Sequence, residues 1–218
     1  MAYTVSQAYN RTLEEADKMG SDYFSLPEFL NLFQKEVWDF VRDRTKDVEL
    51  TQEVTDDMRP LIERASLPLI PSTVDASDKM AAIPVDYYRR MRVNVRYNDQ
   101  TLGREPQVIK HGEADFNEVS PFRKPSKEYP QITQYSDFFN VKTNISIANL
   151  IQPTQLILIY IKKPIINRNE TDVIINLDDS VCELLFGRTA NSFMVTKGDA
   201  RAQMAFQHEE TYGNKNTK

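Results

Sequence analysis

The stretch that decides the fold is Met80-Ala-Ala-Ile-Pro-Val-Asp-Tyr-Tyr-Arg-Arg-Met-Arg-Val-Asn-Val-Arg-Tyr97. It predicts a short strand, a proline-led helical turn, and a second strand whose residues Val93, Val95 and Tyr97 alternate with basic ones. A second run, Leu156-Ile-Leu-Ile-Tyr-Ile-Lys-Lys-Pro164, predicts the strand that pairs with it. Paired strands framed by helices, without catalytic residues nearby, indicate a structural module.

Composition narrows the class of protein. The chain has 218 residues and a formal net charge of −5, which is unlike a dedicated duplex-DNA binder with its basic face. Its single cysteine, Cys182, excludes an internal disulfide and a cysteine-based zinc cluster. The longest apolar run is too short to span a bilayer, and residues 1–5 lack a secretory-signal pattern. We therefore expect a protein made and used in cytosol-like conditions, without a membrane.

Helical patterns precede and follow the strands. Apolar residues recur at helical spacing over residues 4–18, and Ser25 with Glu28 forms the S-x-x-E capping pattern of a second helix. A third helix is predicted from Thr51 toward Ile62, limited by Pro60. Helices before and after a block of strands are typical of the α+β class.

We accordingly predict one structural unit of the α+β class. Its N- and C-terminal helices form a helical bundle, joined to a small antiparallel β part with a long extended arm. The predicted ranges are 1–66 for the N-terminal helical part, 67–164 for the β-rich part with an arm at about 104–135, 165–208 for the C-terminal helices, and 209–218 for a flexible tail.

The segment Asp17–Glu28 resembles a calcium-binding EF-hand loop of twelve residues. Oxygen ligands would fall at Asp17, Ser21, Ser25 and Glu28. Met19, however, stands where a carboxylate should bind the ion, and Asp22 stands where glycine should make the sharp turn. A calcium- or peptide-binding regulatory module that uses loop 17–28 is the alternative function.

Catalytic patterns are sparse. His111 and His208 are far apart and neither accompanies a recognisable nucleophile, while the scattered glycines form no phosphate-binding motif. The pattern around Cys182 predicts a buried apolar role. Adjacent carboxylates are explained as helix caps and solvated faces, so a glycosidase that uses carboxylates alone is only a third hypothesis. We expect no enzyme, no cofactor and no metal.

Arginines and aromatic residues are the candidates for contact with other molecules. The cluster of Arg89, Arg90, Arg92 and Arg96 with nearby tyrosines admits nucleic-acid contact, but strand alternation favours a solvated or subunit-facing surface. In an oligomer these arginines would pair with the acidic excess of a neighbouring subunit. The arm is either a disordered surface loop or an interface segment, and we favour the second. The candidate interface residues are Arg89, Arg92, Arg96, Phe116, Phe122, Tyr129, Tyr135 and Phe206.

Four segments carry a resemblance to a known family. They are Leu26-Pro-Glu-Phe-Leu-Asn-Leu-Phe33, Ile83-Pro-Val-Asp-Tyr-Tyr-Arg89, Ile159-Tyr-Ile-Lys-Lys-Pro164 and the helix predicted over 179–194. In their order and character they resemble the tail adaptors, or head–tail connector ring proteins, of short-tailed bacteriophages, especially crAss-like phages.

The resemblance implies a homo-oligomeric, commonly dodecameric, ring docked beneath the portal protein. Such a ring extends the DNA channel and receives the adjacent ring or tail hub protein, with DNA only as passing cargo. It also implies a virion protein of the neck or tail, made in the host cytoplasm, without catalytic residues.

Overall fold

The computed structural model describes residues 3–18, 24–46, 52–72, 78–99, 103–110, 113, 124–144 and 151–196. The protein belongs to the α+β class, as predicted. Its internal contacts divide it into two compact units. Unit 1 combines Met1–Leu61 with Pro164–Lys218, and unit 2 is the continuous segment Ile62–Lys163.

Unit 1 contains four helices in its described residues. They are α1 (Val5–Lys18), α2 (Leu26–Arg44), α3 (Gln52–Met58), followed by a 3₁₀ turn at Arg59–Leu61, and α4 (Asp179–Thr196). α4 packs against both α1 and α2. Aromatic rings fill this core, since Phe24 and Phe193 lie 4.4 Å apart and Phe33 stacks on Phe186 at 5.8 Å, measured between ring centroids.

The capping pattern at the start of α2 is confirmed. The backbone N–H of Ser25 donates to Oε2 of Glu28 at 2.8 Å, and the Ser25 hydroxyl donates to the same oxygen at 2.8 Å. The limit that Pro60 was predicted to impose is also observed, because α3 ends at Met58 and the chain continues as a 3₁₀ turn.

An irregular segment ahead of α4 ties down the start of α1. Val5 and Ser6 donate their backbone N–H groups to the carbonyls of Asp172 and Glu170, at 2.9 and 3.1 Å. The backbone N–H of Ile174 donates in turn to the carbonyl of Tyr3 at 2.9 Å. These bonds satisfy donors that a free helix N-terminus would leave unpaired, and they bring residues 3–6 beside residues 170–174.

The described residues of unit 2 form two sheets. The strands are β1 (Ile62–Pro68), β2 (Ile70–Pro71), β3 (Lys79–Ala82), β4 (Tyr87–Tyr97), β5 (Gln107–Val108), β6 (Gln131–Gln134), β7 (Phe138–Lys142) and β8 (Pro153–Lys162). The first sheet has the antiparallel order β1-β8-β4, and the second has the order β2-β3-β7-β6-β5 with a parallel β5–β6 pair. Buried side chains from both sheets form one core cluster.

The stretch that decides the fold gives the predicted strands. β4 pairs with β8 along its length, and Val93 and Val95 are 4% and 0% exposed in the core. The predicted helical turn is not observed. One β-turn stands there instead, closed by the bond from the Tyr87 N–H to the Pro84 carbonyl at 3.0 Å, because β4 begins at once after it.

The long arm predicted for residues 104–135 is not confirmed by its described part. Arg104 exchanges backbone hydrogen bonds with Val95 of β4, at 2.7 and 2.8 Å. β5 then pairs with β6, and Ile109 is only 5% exposed. Buried apolar side chains within this mostly polar segment, such as Ile109, pack it against the sheet. The described part of the segment therefore does not project from the sheet.

Several predicted features lie outside the described residues. They are most of the segment 111–123 with His111, Phe116 and Phe122, the C-terminal residues from 197 with Phe206 and His208, and the centre of the EF-hand-like loop at 19–23. Within the described part of the chain, no helix is long and apolar enough to cross a membrane.

Candidate interaction surfaces

One face of the three-stranded sheet carries arginines around isoleucines of its central strand. Partners on antiparallel strands project to the same face, and Ile159 of β8 is paired with both Arg64 of β1 and Arg92 of β4. Arg89 is paired with the neighbouring Ile161. We call this surface the basic face and define it by the exposed Arg64, Arg89 and Arg92 and the half-buried Arg96, Ile157 and Ile159.

A β-bulge places Arg89 on this face. Residues three apart in a regular strand project to opposite sides, so Arg89 and Arg92 would normally be separated. The register shifts between Arg90 and Arg92, and one extra residue of β4 is accommodated there. Arg89 and Arg92 therefore share a face, whereas Arg90 is paired with Tyr160 on the core side.

Among the described residues, few carboxylates lie close enough to neutralise the arginines of the basic face. Nη2 of Arg92 lies 3.6 Å from Oε2 of Glu105, and both side chains are more than half exposed. An exposed pair of this kind contributes about 0–1 kcal/mol. Arg64 and Arg89 form no ion pair with another described residue. Arg64 and Arg89 thus keep their positive charge available to another molecule.

Two of the tyrosines expected beside these arginines, Tyr87 and Tyr97, face the core, whereas Tyr88 is half-buried. The ring of Tyr87 lies 5.9 Å from that of Phe139 and 5.8 Å from that of Tyr160, and Tyr97 is 1% exposed. Strand alternation and the bulge send Tyr87 and Tyr97 to the side opposite the arginines. Neither ring is therefore available on the basic face to stack against a nucleic-acid base.

Two of the predicted interface aromatics lie at the surface of unit 2. Tyr129 is 72% exposed, and its turn is closed by two hydrogen bonds of 3.1 Å between Ser126 and Tyr129. Tyr135 is 39% exposed, and its ring stacks on that of Phe138 with 4.6 Å between centroids. Large rings held by local structure are suited to contact with a partner protein.

Unit 1 carries an acidic surface where α1 meets α4. Arg11 is shared by three carboxylates, since its guanidinium nitrogens lie 2.9 Å from Glu14, 3.1 Å from Glu183 and 3.9 Å from Glu15. The hydrogen bonds that Arg11 donates, first to Glu14 and then to Glu183, raise the pKa of Arg11 above its ordinary value. Tyr3 also donates its hydroxyl to Glu183, which raises the pKa of Tyr3.

Apolar side chains accompany this acidic surface. Val173 forms a β-bridge with Thr4 and is 37% exposed, and Leu184 of α4 is 40% exposed beside Glu183. Carboxylates of the adjoining irregular segment and of the first turn of α4 are also exposed. We define the acidic surface by Glu14, Glu170, Asp172, Asp179 and Glu183, with Val173 and Leu184.

Charge is divided unequally between the two units. Unit 2 has 14 Lys and Arg against 11 Asp and Glu, a formal net charge of +3. Unit 1 has 13 Lys and Arg against 21 Asp and Glu, a formal net charge of −8. The net charge of −5 for the whole chain therefore conceals a basic part and a strongly acidic part.

The C-terminal end of the EF-hand-like loop, residues 24–28, has other partners. Oε2 of Glu28 accepts both hydrogen bonds from Ser25, and Phe24 is buried against Phe193. Tyr9 donates its hydroxyl to the carbonyl of Phe24 at 2.5 Å. Among the described residues, no group of three or more His, Cys, Asp or Glu side chains is placed to hold a metal ion.

Cys182 has the buried position that its sequence pattern predicts. It is 2% exposed, and its thiol lies 3.9 Å from the carbonyl of Leu177. Burial, followed by the charges of Asp179 and Asp178, raises the pKa of the thiol to about 11. The thiol is therefore protonated and unreactive at neutral pH.

Comparison with known proteins does not assign the chain to a family. No protein-family model matches the chain, and no curated protein matches it significantly.

Proposed function

We propose that this chain is a non-enzymatic virion protein that forms a homo-oligomeric ring in the head–tail connector of a short-tailed bacteriophage. The ring lies next to the portal protein, extends the DNA channel and receives an adjacent ring or tail hub protein. Three of the segments that resemble tail adaptors lie in described elements, namely α2, the turn that leads into β4, and β8, and the helix over 179–194 is α4.

The observation that carries the proposal is the separation of charge within one chain. A ring is built from head-to-tail contacts, in which one surface of a subunit meets a different surface of the next. A chain with one unit at −8 and the other at +3 brings opposite net charges to such a contact. Exposed aromatic and apolar side chains such as Tyr129 and Leu184 add area for such contacts.

Electron microscopy of the purified protein and of the native particle tests the proposal. We expect ring-shaped assemblies with a central channel, and the same ring at the neck of the particle. A single globular copy in the native particle would contradict the proposed function.

Calcium titration distinguishes the alternative function. A ring protein whose Glu28 carboxylate caps α2 is expected to show no calorimetric heat and no change in Tm on addition of calcium. Saturable heat together with a raised Tm would favour the regulatory module instead.

A further inference from the structure

We infer that unit 2 has a binding site for one ordered water molecule, which bridges Thr133 of β6 and Asn140 of β7. The site is on the outer face of the five-stranded sheet, which is the face turned away from the core of unit 2. It lies within unit 2 and is independent of the proposed ring.

Strand pairing brings a set of polar side chains onto this outer face. Asn140 is paired with Thr133 on one side and with Met80 on the other, so these three side chains project to the same face. Ile132, which precedes Thr133, projects instead into the core. Asp78, just before β3, lies beside Asn140, because Nδ2 of Asn140 donates to Oδ2 of Asp78 at 2.9 Å.

These polar side chains are buried although they point away from the core. Thr133 is 2% exposed, Asp78 is 8% exposed and Asn140 is 9% exposed. Lys142 projects to the same face, two residues after Asn140, and its Nζ lies 3.8 Å from Oδ2 of Asp78. Buried polar groups of native proteins are paired with protein atoms or with ordered water, so each polar atom of this cluster requires a partner.

Two oxygen atoms of the cluster need a hydrogen-bonding partner. Oγ1 of Thr133 and Oδ1 of Asn140 are buried, and neither has a hydrogen-bond partner among the described residues. The bond from Nδ2 to Asp78 fixes the orientation of the Asn140 amide, so Oδ1 can only accept. Directly paired residues have Cβ atoms about 4.5–5.5 Å apart, so one small molecule can reach both oxygens.

Water fits these two atoms better than a metal ion does. A water molecule can donate to Oδ1 of Asn140 and exchange a hydrogen bond with the hydroxyl of Thr133, as buried waters do. A metal ion would share this face with the ammonium group of Lys142, which lies beside the carboxylate of Asp78 and would repel the ion. Both side chains are at least nine-tenths buried, which favours a small occupant.

Two measurements on the full chain test the site. A crystal structure should show one water molecule within about 2.5–3.0 Å of both oxygens. The variant Thr133→Val replaces the hydroxyl by a methyl group of similar size, and urea denaturation measures its stability. The equilibrium constant for unfolding should rise about tenfold, because the water and Asn140 then lose a partner. This loss is expected even though valine favours strands.

The matched control is Thr154→Val in β8. Thr154 is exposed, and its hydroxyl donates to the carbonyl of Arg96 at 3.3 Å, so solvent can replace that bond. Its equilibrium constant for unfolding should stay within about twofold of wild type. Exchange of sodium chloride for potassium chloride or choline chloride should leave the Tm of wild type unchanged, because water and not a metal ion occupies the site.

Three results would contradict the inference. The first is a Thr133→Val variant as stable as wild type or more stable, because removal of an unpaired buried hydroxyl costs nothing. The second is electron density without a water molecule between the two oxygens, which decides the question even if the variant does not fold. The third is a Tm that rises with sodium or potassium but not with choline, which would assign the site to a metal ion.

Discussion

At the scale of single residues, Cys182 links burial to the pH dependence of stability. The pKa of its thiol is raised from an ordinary value of 9.0 to about 11, chiefly by burial. As the pH rises, the thiol therefore ionises in the unfolded chain before it ionises in the folded chain. Its contribution to the free energy of unfolding is complete below about pH 9 and is lost as the pH rises toward 11.

We predict that Cys182→Ala reduces this alkaline loss of stability. The free energy of unfolding is measured by urea denaturation from pH 8 to 11 for wild type and for the variant. Tyrosine and lysine side chains titrate in both proteins, so their effects cancel in the difference between them. Wild type should lose more stability than the variant between pH 9 and 11. Equal losses would show that the thiol titrates alike in the folded and unfolded states.

At the scale of elements, Gly187 weakens α4. A glycine within a helix costs about 0.5–1 kcal/mol relative to alanine. A Cβ atom added at Gly187 would meet no described atom within 4 Å, so the folded chain has room for it. We predict that Gly187→Ala raises the free energy of unfolding by about 0.5–1 kcal/mol.

The other described glycine provides the contrast for this prediction. A Cβ atom at Gly103 would lie 2.8 Å from Cβ of Asn94, closer than two such atoms approach, because the chain runs directly over β4 there. Gly103→Ala should therefore lower stability in the same urea experiment. If Gly187→Ala is destabilising as well, α4 is packed more tightly at this position than the structure indicates.

Local patterns account for the elements that the sequence predicts. The Ser25–Glu28 cap and the alternation of Val93 and Val95 depend only on neighbouring residues, and both were predictable for that reason. The bulge in β4 depends on pairing with β8, since Arg90 and Arg92 pair with Tyr160 and Ile159, and no local pattern of residues signals it.

The candidate surfaces were predictable to different degrees. Arg92 and Arg96 follow one alternating strand, so their common face could be read from the sequence. Arg64 was missed because residues 1–66 were assigned to the N-terminal helical part, whereas β1 already begins at Ile62. The acidic surface was beyond prediction, because Glu14 and Glu183 meet only through the packing of α1 beside α4, where both contact Arg11.

At the scale of the whole molecule, unit 2 is an insertion within unit 1. The chain enters unit 2 by β1 and leaves it by β8, and these strands are antiparallel neighbours with Ile62 opposite Ile161. Neighbouring strands lie about 5 Å apart, so the two ends of the insertion are close together. A segment with its own core and adjacent ends has the properties of an independent folding unit.

We therefore predict that the isolated fragment 62–163 folds. It should show a strand-type far-UV circular dichroism spectrum and one cooperative thermal transition, because its core cluster is drawn from its own two sheets. A matched fragment that begins at Leu69 lacks β1, which pairs with β8 over seven residues and contributes Ala65 and Leu67 to the core. The shorter fragment should have a lower Tm. A fragment 62–163 without a cooperative transition would show that unit 2 requires unit 1 in order to fold.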